Sequence, residues 1–199
     1  HVLGSPSPDV VKKSVIGLER HSEMFDLMGF EPSFENKINI HIGGMYGDAK
    51  ATADRWIKAW SSLSDNLKKR LVIENDDKPS MWSIQMLYDY FHTVIGIPIT
   101  FDYFHHSFHP DGLSEEQALH LAATTWPDNI TQCTHYSESR ALEQEEPKIR
   151  PQAHSDYCKQ PISTYGLDID IMLEAKAKEN ALFESIKINR KVLDESNRR

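Results

Sequence analysis

The segment Ile38-Asn39-Ile40-His41-Ile42-Gly43-Gly44 decides the fold class, because a short β-branched strand here ends at a histidine and a pair of glycines. Four more segments predict short strands that end at, or directly before, a polar residue, and they cover residues 71–74, 98–102, 130–135 and 167–173. Successive strand ends lie 28 to 39 residues apart. One βα unit of an eight-unit barrel takes about 31 residues, so the spacing fits a barrel repeat.

Helices are predicted between these strands, at residues 6–29, 48–63, 80–94, 114–125 and 174–191. Ser80 is the predicted N-cap of the third helix, and Ser114-Glu115-Glu116-Gln117 forms a capping box at the fourth. Residues 137–163 are polar and interrupted by proline, which predicts a long loop. Strands that alternate with helices predict parallel βαβ units.

Two α/β architectures fit this alternation: an open doubly wound sheet and a TIM-type (β/α) barrel. Neither glycine-rich phosphate-loop pattern is present, which disfavours the nucleotide-binding form of the open sheet. Five strands cannot close a barrel of eight, so we expect an incomplete TIM-type barrel of about five to six βα units over residues 1–190. Residues 191–199 are predicted to be a basic, frayed tail, and Val2-Leu3 is expected to be the end of a strand that begins upstream.

The composition of the chain excludes several functional classes. The 199 residues carry a net charge of −8, which argues against a general nucleic-acid coat but leaves room for a local nucleic-acid site. No apolar run approaches the roughly 20 residues of a membrane helix, and no secretory segment opens the sequence. Cys133 and Cys158 lie 25 residues apart without a CxxC pattern, which favours a reducing, intracellular compartment.

The predicted strand ends share one chemical property, because each carries a side chain that binds divalent metals. Taken alone, each of these residues is more simply a hydrogen-bonded loop residue or a helix cap. Together they point to a metal site, because the carboxyl ends of barrel strands form the active site in this fold. The strand-end residues are His41, Glu74, Asp102, His135 and Glu174.

Three other residues extend this set. His105 lies one helical turn after Asp102, and His154 and Asp156 lie on the same side of an extended loop segment. Mixed histidine and carboxylate ligands without thiolates suit Mn²⁺, Zn²⁺ or Mg²⁺ better than a structural zinc. The number of ligands exceeds the need of one ion and predicts two or three ions, an arrangement used for in-line displacement at phosphorus. The roles of His106 and His109 stay open between the site and solvated loop positions.

Several segments, in order, resemble the UV damage endonuclease family. The resemblance covers nearly the whole chain and about the last two thirds of the family's catalytic domain. The matching segments are Ile40-His41-Ile42-Gly43-Gly44, Leu71-Val72-Ile73-Glu74-Asn75-Asp76-Asp77, Phe101-Asp102-Tyr103-Phe104-His105-His106, His135-Tyr136-Ser137, Ala153-His154-Ser155-Asp156-Tyr157 and Asp170-Ile171-Met172-Leu173-Glu174-Ala175-Lys176.

The resemblance implies a TIM-type barrel with a cluster of three metal ions, commonly Mn²⁺. It implies a DNA repair enzyme that nicks double-stranded DNA 5′ to ultraviolet photoproducts and some abasic sites. Glu74, Glu174 and Lys176 are the expected catalytic residues, and Lys176 would either contact phosphate or lie in solvent on its helix. The implied metal ligands are His41, Glu74, Asp102, His105, His135, His154 and Glu174, with Cys133 and Asp156 as further candidates.

The chain departs from the family pattern at three places. The family has strands upstream, including a metal-ligand histidine and a Gln-Tyr pair that probes the lesion, and this chain is expected to begin just after that pair. Cys133 stands where the family often has a lysine, which is carboxylated in some members. Residues 141–152 are expected to be an insertion in the loop before His154.

The reaction that these residues predict is metal-assisted phosphodiester hydrolysis, in which ions activate water and stabilise the leaving 3′ oxygen. Two alternatives stay open: a metal-dependent sugar isomerase on the same barrel, and a truncated, non-catalytic fragment. We expect a monomer with damaged DNA as its partner, no membrane and no protein partner. Its compartment would be the nucleus or mitochondrion of a eukaryote, or the cytoplasm of a bacterium.

Overall fold

The computed structural model describes the backbone of residues 1–196 and the side chains of residues 1–191. The chain forms two compact units, His1–Gln132 and a second that begins at Cys133. In the first unit, β1 (Ile38–His41), β2 (Leu71–Glu74) and β3 (Ile99–Asp102) form a parallel sheet in that order. His41 lies in register with Glu74, and Glu74 with Thr100, so the three carboxyl ends meet at one edge of the sheet.

Helices connect these strands as the α/β pattern predicts. Ser114 and Gln117 form both hydrogen bonds of the predicted capping box. A π-helical turn at Tyr88–His92 lies between two of the short helices. The helices of the first unit are α1 (Pro8–Leu27), α2 (Ala49–Ser61), α3 (Asp65–Lys68), α4 (Ile84–Leu87), α5 (Thr93–Ile95), α6 (Tyr103–Phe108) and α7 (Glu115–Ala123).

The core of the first unit lies around β2 and β3, in which every residue is buried. Phe91 packs edge-on against Trp56 and Trp82, with ring centroids 5.2 and 5.0 Å apart. Edge-to-face pairs of this kind add about 0.5–1.5 kcal/mol each beyond the area they bury. Trp56 and Trp82 are therefore core residues.

A buried arginine ties α1 to the start of β2. The side chain of Arg70 is fully buried and donates to Ser22 Oγ at 3.0 Å, to Asp26 Oδ1 at 2.7 Å and to the carbonyl of Phe30 at 2.5 Å. The hydrogen bond from Arg70, together with one from Asn66, lowers the pKa of Asp26 below its usual value. A buried guanidinium needs such partners because an unpaired buried charge is strongly destabilising.

The second unit contains two neighbouring, hydrogen-bonded strands, β4 (Gln132–Tyr136), which begins at the boundary residue, and β5 (Ile169–Leu173). Thr134 Oγ1 donates to the carbonyl of Asp170 at 3.0 Å. Two helices complete the unit, α8 (Arg140–Glu143) and α9 (Glu179–Ser196). Its buried cluster consists of Cys158, Ala175 and Ala181, against which Tyr136, Tyr157, Leu173 and Ala177 pack.

The observed helices differ from the predicted ones at three places. Helix α4 begins at Ile84 with Ser83 as N-cap instead of Ser80, because Trp82 is fixed in the preceding loop by hydrogen bonds to Asp76 and to the carbonyl of Gly43. Helix α6 is unpredicted, and the Asp102 side chain caps it by accepting from the His105 N–H at 2.7 Å.

The third difference is the start of the last helix, α9. It begins at Glu179 instead of residue 174, because the N–H groups of Lys176 and Ala177 donate to the carbonyls of Ser155 and Asp156. The predicted frayed tail at residues 191–199 is helical through Ser196, and residues 197–199 lie outside the described residues. Among the described residues, no helix is both long and apolar enough to span a bilayer.

Candidate metal centre

The first ligand set lies at the carboxyl edge of β1–β3. Glu74 Oε2 is 3.7 Å from His41 Nε2, and Glu74 Oε1 is 3.5 Å from His105 Nδ1. His41, Glu74 and His105 each offer a ligand atom, and these atoms lie within 4.8 Å of one another. His105 Nδ1 is also 3.7 Å from Asp102 Oδ2. The structure therefore brings together the four candidate ligands that the sequence assigns to this unit.

The electrostatics of this set favour a cation. Glu74 and Asp102 are almost completely buried. Burial alone would lower the pKa of His41, but the carboxylates of Asp76, Glu74 and Asp102 raise it to about 9. The same negative field would attract a divalent ion, and buried carboxylates are stable when they are paired or coordinate metal. Nitrogen and oxygen donors without thiolate fit Mn²⁺, Zn²⁺ or Mg²⁺.

Three residues that sequence reasoning missed hold these ligands in place. Asn39 Nδ2 donates to Glu74 Oε2 in a short hydrogen bond. Asp76 Oδ1 lies 3.1 Å from His41 Nδ1, so a carboxylate faces the ring nitrogen that points away from Glu74. The side chain of Asn75 forms hydrogen bonds with the backbone N–H and carbonyl of Asp102. Asn75 and Asp76 directly follow the candidate ligand Glu74, and Asn39 lies two residues before His41. Closeness in sequence to a candidate ligand was therefore the signal that could have identified these three supporting residues.

The second ligand set lies in the second unit. The carboxylate of Glu174 lies between two histidines, with Oε1 3.4 Å from His135 Nδ1 and Oε2 3.5 Å from His154 Nδ1. His154 Nδ1 is also 3.0 Å from the backbone carbonyl of Glu174. The N–H of Glu174 donates to the carbonyl of Tyr136, which joins the ends of β4 and β5. Two imidazoles therefore lie within 3.5 Å of one carboxylate.

The remaining candidates of the second unit lie in different surroundings. Cys133 is buried in β4, with Sγ 4.0 Å from the carbonyl of Thr134. Asp156 faces the insertion, with Oδ1 3.8 Å from Arg140 Nη2 and Oδ2 accepting from Gln144 Nε2 at 3.2 Å. The Lys176 residue is exposed. The structure therefore brings His135, His154 and Glu174 together, while Asp156 pairs with the insertion.

The loop that carries His154 has structure of its own, because the insertion folds back on it. Ser139 and His154 form an isolated antiparallel bridge, and the N–H of Arg140 donates to the carbonyl of Ala153 at 2.7 Å. Glu143, at the end of α8, accepts from the N–H groups of Asp156 and Tyr157 at 2.6 and 3.0 Å. The predicted long loop at residues 137–163 therefore contains one short helix and one bridge, and Glu143 in the insertion supports the segment that follows His154.

His106 and His109 are buried residues and not solvated loop histidines. Their exposed fractions are 3% and 8%. His106 lies in α6 with its ring centroid 5.3 Å from that of Phe101. Burial lowers the pKa of His106. His106 is therefore a neutral core histidine of the first unit.

The fold and these side chains define a class: an α/β protein with parallel βα units whose strand ends carry histidine and carboxylate side chains. The family model described as UV-endonuclease UvdE matches residues 1–198. The chain belongs to this family, and the resemblance predicted from the sequence is confirmed.

Relatives and a solved structure support this assignment. The chain is 32% identical over 191 residues to the UV DNA damage endonuclease of Clostridium perfringens, covering 93% of this chain and 44% of the relative. It is 34% identical over 198 residues to the UV-damage endonuclease of Neurospora crassa, covering 92% of this chain and 29% of the relative.

The crystal structure of SacUVDE matches with a TM-score of 0.80 and 33% identity, covering 96% of this chain and 62% of that one. This match confirms the α/β prediction and is consistent with an incomplete TIM-type barrel. The chain therefore spans less than half the length of the two curated relatives named here, and under two thirds of the solved structure.

Proposed function

We propose that this chain contributes the strand-end ligands of a DNA repair endonuclease that nicks the backbone 5′ to ultraviolet photoproducts, and also at some abasic sites. The observation that carries the proposal is the convergence of His41, Glu74 and His105 at one sheet edge in a chain of the UvdE family. The relatives reported above are named endonucleases, which favours a nuclease over the sugar isomerase. The substrate would be damaged double-stranded DNA inside the cell.

We further propose Mn²⁺ as the resident metal, two or three ions per protein. His41, Glu74, Asp102 and His105 would hold metal in the first unit, and His135, His154 and Glu174 in the second. When bound, divalent ions supply Lewis-acid stabilisation of the charge that develops on the phosphate oxygens. Glu74 and Glu174 keep their carboxylates between histidine pairs, and each carboxylate orients those imidazoles. Lys176, exposed next to the second set, is suited to contact a phosphate.

The experiment measures nicking of a duplex that carries one cyclobutane pyrimidine dimer, with Mn²⁺ present. We expect a nick on the 5′ side of the dimer, no nick in the undamaged duplex, and loss of activity with EDTA. The combined variant Glu74→Gln with His135→Ala removes one ligand from each set and should lower the rate by at least 100-fold, because metal affinity and geometry both suffer.

The matched control makes the same two changes on the exposed face of α7, as Glu116→Gln with His120→Ala. This control should nick at the wild-type rate. An unchanged rate for the combined ligand variant would contradict the site. Sugar turnover without DNA cleavage would favour the isomerase instead, and a chain without a cooperative melting transition would favour the non-catalytic fragment.

A further inference from the structure

Tyr46 lies in the loop that follows β1, five residues after His41, and 49% of its surface is exposed. Its backbone is left-handed, with φ of +52°. A bulky residue rarely adopts this conformation, whereas glycine adopts it without strain. Strained backbone of this kind concentrates at functional sites. The position therefore keeps an exposed aromatic ring at a cost to stability.

The ring of Tyr46 packs against the guanidinium group of Arg55, which is held in place by hydrogen bonds. The guanidinium carbon of Arg55 lies 6.0 Å from the ring centroid, within cation–π range. Arg55 is held by two hydrogen bonds of 2.9 Å, from Nε to the carbonyl of Gly4 and from Nη2 to Thr52 Oγ1. One face of the ring is therefore supported by a side chain that is itself anchored.

The loop around Tyr46 is also tied to α2. The carbonyl of Met45 accepts from the N–H of Asp48 at 3.1 Å and from Thr52 Oγ1 at 2.5 Å. Asp48 also caps α2 by accepting from the N–H of Ala51. Met45 and Asp48, which flank the turn that carries Tyr46, are thus fixed, so the ring is preorganised in a half-exposed position after β1.

We propose that Tyr46, supported by Arg55, is a stacking platform for a nucleobase that leaves the duplex at the damaged site. This inference rests on the proposed function. Every base has a π-face, so an aromatic side chain binds an unstacked base largely irrespective of sequence, and an arginine adds a cation–π contribution. Bases at a lesion unstack at a lower energetic cost than paired bases, which would direct the platform to damaged DNA.

The test measures binding by fluorescence anisotropy in EDTA, with a labelled duplex that contains one cyclobutane pyrimidine dimer and with its undamaged counterpart. Tyr46→Leu should weaken binding of the damaged duplex by roughly 5- to 100-fold, as expected for loss of one stacked base. Tyr46→Phe keeps the ring and should bind within about twofold of the wild type.

Tyr46→Gly separates a binding role from a structural one. Glycine fits the left-handed backbone, so the thermal midpoint of this variant should equal or exceed that of the wild type, while its DNA affinity falls as in Tyr46→Leu. Tyr165→Gly is the matched control, because Tyr165 has φ of +50° in the loop before β5. This control should leave DNA binding unchanged.

Wild-type affinity in both Tyr46→Leu and Tyr46→Gly would overturn the platform while leaving the proposed function intact. A wild-type protein that binds both duplexes equally, or a Tyr46→Leu variant that binds both more weakly by the same factor, would also overturn the platform, because the undamaged duplex presents no unstacked base. A wild-type protein that binds neither duplex would overturn both proposals.

Discussion

Asn75 and Asp102 exchange two hydrogen bonds between the ends of β2 and β3: Asn75 Nδ2 donates to the Asp102 carbonyl at 3.0 Å, and the Asp102 N–H donates to Asn75 Oδ1 at 2.8 Å. Both residues are almost completely buried. The carbonyl of Asn75 also lies 3.0 Å from His105 Nδ1. One asparagine thus positions two candidate ligands, although it is not a ligand itself.

The first prediction removes this bridge with Asn75→Ala. The change removes both side-chain hydrogen bonds to the buried backbone of Asp102, which should lower the free energy of unfolding by about 2–4 kcal/mol. Loss of support around a metal ligand should also weaken Mn²⁺ binding by roughly 10- to 100-fold. Urea denaturation and calorimetric titration measure the two effects.

Asn180→Ala is the control for Asn75→Ala, because Asn180 is exposed in the first turn of α9. It should change neither quantity appreciably. If Asn75→Ala bound Mn²⁺ with the affinity of the wild type, Asn75 would stabilise the fold without positioning the candidate metal ligands.

The second prediction concerns pH and the ion pair between Asp26 and Arg70. Arg70 lowers the pKa of Asp26 in the folded protein below the ordinary value of 3.8. The pair therefore contributes its full stability above pH 3.8, and the contribution is lost as the pH falls through the lower, folded pKa. Asp26→Asn should destabilise the protein at pH 7 and should lose less stability than the wild type during acidification below pH 3.8.

Urea denaturation in EDTA at several pH values measures this difference. Asp54→Asn is the control, because Asp54 forms an exposed pair with Lys50 and should contribute less than about 1 kcal/mol at pH 7. A parallel acid loss in Asp26→Asn and the wild type would contradict the role assigned to the pair.

The strands and their terminal residues could be predicted because their signals are local. β2 was predicted at residues 71–74 and is observed as Leu71–Glu74. The start of helix α4 was predicted a few residues too far towards the N-terminus. The hydrophobic periodicity of the sequence does not reveal that the Trp82 side chain donates a hydrogen bond to the carbonyl of Gly43, 39 residues before it. Side-chain contacts between distant segments decided that boundary.

The residues that position the candidate ligands could not be predicted from the sequence for the same reason. Asn39 contacts Glu74 across 35 positions of the chain, and Asn75 contacts Asp102 across 27. Neither asparagine belongs to a motif that marks such a role. The ligands themselves could be proposed because parallel strands bring their carboxyl ends to one edge, whatever the details of packing.

The third prediction tests whether the insertion supports His154. Glu143 accepts two backbone hydrogen bonds from Asp156 and Tyr157, and its side chain is 9% exposed. Glu143→Ala should free the segment that follows His154, raise hydrogen exchange across residues 153–158, and weaken Mn²⁺ binding by about tenfold.

The control for Glu143→Ala lies in the same insertion. Glu146 is exposed, and its carboxylate accepts from the nearby N–H of Lys148. Glu146→Ala should leave exchange across residues 153–158 unchanged. Equal exchange in the Glu143 and Glu146 variants would contradict a supporting role for Glu143.

The fourth prediction concerns Cys133, which lies two residues before His135 on β4 and is buried. Residues two apart on a strand share a face, so the thiol is placed on the side of the sheet that carries His135. Cd²⁺ prefers thiolate and reports it through a sulfur-to-metal absorption band in the ultraviolet. We expect that band in the wild type and its loss in Cys133→Ser.

Cys158→Ser is the matched control for Cys133→Ser. Burial raises the pKa of the Cys158 thiol to about 12, so this cysteine should stay protonated and its removal should leave the band intact. A band that persists in Cys133→Ser would remove Cys133 from the candidate ligands.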